Sequence, residues 1–113
     1  MSDIKITKAS GTWTVRAGGA VLAESKNALA LSEPGHDDVI YFPQSDIAMA
    51  FLDESDRSSF CPRKGDASYY SIVTKSKTIE NAGWSYEDPN DGAAEIKGYL
   101  AFYSNDDVTV ERL

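Results

Sequence analysis

The stretch "GTWTVRAGGAVLAES", residues 11–25, sets a pattern that the rest of the chain repeats: short runs rich in β-branched and aromatic residues, broken by turn residues at regular spacing. Gly18 and Gly19 stand between two alternating runs, where a two-residue loop must reach positive φ, and glycine does so at low steric cost. The segment therefore reads as a β-hairpin with strands near residues 12–17 and 20–25. Side chains alternate along a strand, so Trp13, Val15 and Ala17 share one face and Thr12, Thr14 and Arg16 the other.

Further runs extend the pattern. "NALALSE" and "DDVIYFP" read as strands joined through "EPGHDD", whose Pro34 and Gly35 suit a chain reversal. After Pro43, "QSDIAMAFLDES" has too short an apolar run for a helix, and one helical turn capped by Ser45, followed by an extended segment, is expected. "ASYYSIVT", "TIENAGWSYED", "GYLAFYS" and "DVTVER" are strand-like, and "DPNDGAAEIKG" offers a second short helix, opened by Asn90 or Asp91 and closed by Gly98. The expected fold is all-β: a small curved antiparallel sheet or barrel with one or two short helical turns. At 113 residues the chain has room for one domain, residues 1–113, without internal repeat or linker.

Charge narrows the partners. Eleven Lys and Arg against eighteen Asp and Glu give a net charge of -7, which repels nucleic acid and anionic membranes. The N-terminus "MSDIKITKAS" lacks the basic flank and apolar run of a secretion signal, and no segment is apolar over the roughly 20 residues that cross a bilayer. With a single cysteine there is no internal disulfide, so a reducing, cytoplasmic location is expected.

The stretch "FCPRKGDASYY", residues 60–70, concentrates the chemistry-bearing residues. Cys61 is a nucleophile if Arg63 or Lys64 favours its thiolate and His36 serves as base; otherwise it is a small hydrophobe at a turn shaped by Pro62 and Gly65. Cys61 and His36 fall short of the four ligands of a structural zinc site, so no metal and no cofactor is expected. Lys64 and Arg63 precede the tyrosine run that holds Tyr69, and Trp84 and Tyr86 share one face of a later strand. Cations beside aromatic walls suit a small anionic or planar ligand; the same aromatics also suit a core. Arg16 and Glu33 complete the set, as a pocket pair or as a surface ion pair.

"VRAGGAVLAES", "YFPQSDI", "CPRKGDASYY", "NAGWSYEDP" and "GYLAFY", spread over residues 12–103, resemble the bacterial family catalogued as domain of unknown function 427. The resemblance implies a curved β-sheet similar to the β-tent of zinc-binding domains such as the exchange-factor homologue Mss-four. It also brings a nucleotidyltransferase label, without residue roles. Such an enzyme needs convergent carboxylates for Mg²⁺ and a phosphate-binding loop. "HDD" at 36–38 and "DPND" at 88–91 place their carboxylates at turns, and Gly18 and Gly19 belong to a hairpin. Two classes remain: a domain that binds or acts on a small anionic metabolite or nucleotide, and a protein-interaction domain without catalysis.

Overall fold

The computed structural model describes residues 3–113, and within them the chain is mainly β. Ten strands run in order: β1 (Lys5–Lys8), β2 (Trp13–Ala17), β3 (Ala20–Ser25), β4 (Leu29–Ser32), β5 (Val39–Tyr41), β6 (Leu52–Cys61), β7 (Gly65–Val73), β8 (Thr78–Ser85), β9 (Leu100–Phe102) and β10 (Val108–Arg112). They form three antiparallel sheets, ordered β1-β4-β5, β10-β2-β3 and β6-β7-β8-β9. No closed barrel forms among the described residues, which corrects one of the two expected forms. A barrel needs every edge paired, whereas here β5 and β9 meet through the single bridge of Phe42 with Leu100.

The glycine hairpin forms as its turn chemistry requires, with Gly18 and Gly19 at φ of 57° and 81°. Opposite Val15 and Arg16 the register shifts by one, leaving Leu22 of β3 unpaired, so that Leu22 and Ala23 are both buried; in β2 Thr14 is buried, its hydroxyl donating to the Glu111 carbonyl at 3.4 Å. The helical segments are short 3-10 turns at Gln44–Asp46, Met49–Phe51 and Asp91–Ile96. Pro43, not Ser45, occupies the first N-cap, and no side chain caps that turn. Asn90 is the N-cap of the last one, again without a side-chain cap bond, and Gly98 follows it at φ 75°.

Period-2 alternation sends the strands' apolar residues to two clusters. Phe42, Ile72, Leu100 and Phe102 join Val15, Leu22 and Val108 from the β10-β2-β3 sheet in the larger core. The intervening residues Leu31, Tyr41, Ala67, Tyr69 and Ala101 form a second cluster with Tyr86, covered by Ala93 and Ile96 of the last 3-10 turn. Cys61, Trp84 and Leu29 pack against its margin. The sheets thus pack the larger cluster on one face and the tyrosine-rich cluster on the other.

Candidate functional site

The turn after β6 is held at both ends. Pro62 fixes φ, the Lys64 amide donates to the Cys61 carbonyl at 3.1 Å, and Gly65 begins β7 at φ 110°. From the other side Asn90 donates its side-chain amide to the Pro62 carbonyl and its backbone N-H to the Lys64 carbonyl, both at 2.9 Å. A Cβ on Gly65 would come within 3.4 Å of the Asp88 carbonyl, so the segment "DPND" clamps the turn closely.

This clamping aims Lys64 at Glu33. The ammonium donates to the carboxylate at 2.5 Å, with side chains only 13% and 12% exposed, and the more exposed Arg63 reaches the other carboxylate oxygen at 3.5 Å. The Lys64 hydrogen bond holds the Glu33 carboxyl below its ordinary pKa; burial opposes this, and the charges of Lys64, Arg63 and His36 reinforce it. Lys64 also lies 5.9 Å above the Tyr86 ring.

Phenols fill the rest of the aromatic face. Burial raises the pKa of Tyr41 and of Tyr86, and the neighbouring Cys61 and Glu33 add to the rise in both. The Trp84 indole N-H donates to the Tyr41 hydroxyl at 3.2 Å, and the Trp84 ring lies 4.5 Å from the exposed Tyr103 ring. Tyr69 behaves differently. Burial works against its ionisation, but hydrogen bonds with Ser59, Tyr103 and Arg57, together with the Arg57 charge, bring its pKa below the ordinary phenol value. Ser59 is 2.9 Å from its hydroxyl, and the Arg57 guanidinium lies 4.9 Å above its ring.

Most of the residues selected from sequence therefore meet here. Cys61, Arg63, Lys64, Glu33, Tyr69, Trp84 and Tyr86 all lie on or beside the aromatic face. Arg16 makes its contact elsewhere: it lies on β2, 3.8 Å from Glu111, and both side chains are about half exposed. Glu33 thus has Lys64 and Arg63 as partners in place of Arg16. His36 lies in the exposed turn after Glu33 and acts on it through charge. Sequence reasoning missed Tyr41, Arg57, Ser59 and Tyr103. The available signal was parity, since Tyr41 shares its strand face with Val39, and Tyr103 shares one with Ala101.

A family model described as Domain of unknown function (DUF427) matches residues 5–112. The chain belongs to this family. No curated protein matches the chain. The DUF427 match spans all ten strands, so the aromatic face and the Cys61 turn lie wholly within the family's domain. Among the described residues no three His, Cys, Asp or Glu side chains converge as a metal cluster does, and no helix is long and apolar enough to cross a membrane.

Proposed function

We propose that this DUF427 domain binds a small anionic metabolite or nucleotide on its aromatic face, between Arg57 over Tyr69 and Lys64 over Tyr86. The carrying observation is a pair of cation–ring contacts on one face of an acidic protein. The Arg57 guanidinium lies 4.9 Å above the Tyr69 ring and the Lys64 ammonium 5.9 Å above the Tyr86 ring, whereas the whole chain carries -7. A cluster that served packing alone has no need of an ion pair and four phenols, because apolar residues of similar volume do as well.

In this reading the exposed Tyr103 ring and Trp84 offer the wall for the planar part of the ligand, while the buried Tyr69 and Tyr86 rings back the Arg57 and Lys64 cations. Glu33 holds the Lys64 ammonium in place beside the ligand's charge, which Lys64 meets together with Arg63 on the outer side of the pair. A panel of anionic metabolites screened by thermal shift is expected to return a ligand that raises the melting temperature, because it binds only the folded state. A panel in which only neutral apolar compounds stabilise the protein would contradict the reading.

An enzymatic form of the proposal gives Cys61 the nucleophile's role, since its partly exposed thiol borders Tyr41 and Tyr86. Native Cys61 is then expected to react with iodoacetamide near neutral pH faster than free cysteine does, and the anionic ligand should protect it. Labelling no faster than free cysteine would leave binding without catalysis. The nucleotidyltransferase alternative gains no support from the side-chain geometry. A protein-interaction role has one observation in its favour: Val21 and Phe51, about half exposed, border an apolar hollow of about 300 Å³ on the opposite core.

A further inference from the structure

Both tryptophans of the chain line one groove, which shares Trp84 and Tyr103 with the aromatic face but extends away from its cations. It opens where β5 and β9 part beyond their single bridge, and its volume is about 730 Å³, within the range of roughly 300–1,000 Å³ typical of small-molecule sites. Trp84 and Tyr103 form one part of its wall and Trp13 another.

The backbone gives the groove a polar edge. Phe42 directs both its N-H and its carbonyl at Leu100, in bonds of 2.7 and 2.9 Å. Two residues away on each strand, alternation points the same groups of Ile40 and Phe102 into the gap, and the Tyr103 amide confirms the parity by bonding to Ala82 on the other side. Among the described residues no hydrogen bond joins Ile40 to Phe102, so each strand offers a donor and an acceptor side by side. The charged residues at the groove are Lys8 and Arg112 against Asp37 and Asp38, two of each sign, which sum to zero.

We propose that this groove is a binding site for a neutral, flat heteroaromatic ligand carrying a hydrogen-bond donor and an acceptor on one edge. The flat ring stacks on the indoles, the edge takes the bonds that Ile40 and Phe102 leave unmade, and the balanced rim has no preference for charge. The site shares Trp84 and Tyr103 with the aromatic face but contains none of Arg57, Arg63 and Lys64.

Because the only two tryptophans are in the wall, intrinsic fluorescence reports directly on occupancy. Nicotinamide and cytosine serve as probes. Benzyl alcohol, a flat ring without the paired edge, and cyclohexanecarboxamide, the edge without the flat ring, serve as controls. Saturable change is expected with the two probes and weaker or no binding with the controls. Trp13→Leu, which leaves Trp84 as reporter, should weaken probe binding by about 5- to 150-fold, the worth of one stacked ring. Lys77→Ala, an exposed change outside the groove, should leave it unchanged. Non-saturating change up to about 10 mM, equal binding of controls and probes, undiminished binding by Trp13→Leu, or loss of binding in Lys77→Ala would each overturn the assignment.

Discussion

Phe42→Ala is expected to destabilise the domain by about 3–5 kcal/mol, the range for emptying a fully buried phenylalanine site. Phe42 has no exposed surface, its ring meets Phe102 edge-on at 6.3 Å, and its backbone forms the only bridge between β5 and β9 among the described residues. Losing the ring leaves a cavity where two sheets are joined at one point, so little neighbouring structure is free to collapse into it. A domain of this size has about 5–15 kcal/mol of stability in all, and the variant should lie close to the unfolding threshold. Urea denaturation checks this, with Phe60→Ala as control: Phe60 is 68% exposed, and its loss should fall within about 0.5 kcal/mol. Equal midpoints for the two variants would contradict the placement of Phe42.

Breaking the Glu33 and Lys64 pair from either side should cost about 2–4 kcal/mol, because the surviving charge stays largely buried without its partner. The lower part of the range for buried pairs applies, since both side chains keep some contact with solvent and Arg63 partly compensates. Replacing both as Glu33→Gln with Lys64→Met should cost less than the sum of the single changes, and the cycle isolates the coupling. The pH dependence has a definite sign. The folded Glu33 carboxyl lies below its ordinary value of 4.5, so its contribution is complete above that value and is lost as pH falls through the lowered folded one. The difference in stability between the wild type and Glu33→Gln should therefore be largest near neutral pH and shrink in acid.

What the sequence disclosed follows from how local each signal is. The hairpin expected at 12–17 and 20–25 forms as Trp13–Ala17 and Ala20–Ser25, because Gly18 and Gly19 settle the turn without distant help. The β6 strand was legible only as an extended segment. It lies at a sheet edge, exposes most of its side chains and contains a register shift between Glu54 and Ser58, so "LDESDRSSFC" shows no alternation. With it went Arg57 and Ser59.

The four residues of β1, at the edge of another sheet, carry no turn signal of their own. Lys64 was legible as a basic residue beside tyrosines, but its partner stands 31 residues earlier, and Tyr41 is 43 residues from Trp84. Such pairings depend on how the β1-β4-β5 sheet meets the β6-β7-β8-β9 sheet, which no window of sequence contains.

Calorimetric titration of an anionic ligand from the thermal-shift panel tests the central claim most directly, using wild type, Arg57→Ala, Lys64→Ala and Lys77→Ala, each shown to be folded by circular dichroism. Arg57 is exposed, so its loss should leave the fold intact, and Lys77, paired with Asp107 away from the aromatic face, is the control. The account predicts that Arg57→Ala and Lys64→Ala each lose about 10- to 150-fold in affinity, the worth of a hydrogen bond to a charged group, while Lys77→Ala binds as wild type. Equal affinities for all three variants would contradict it.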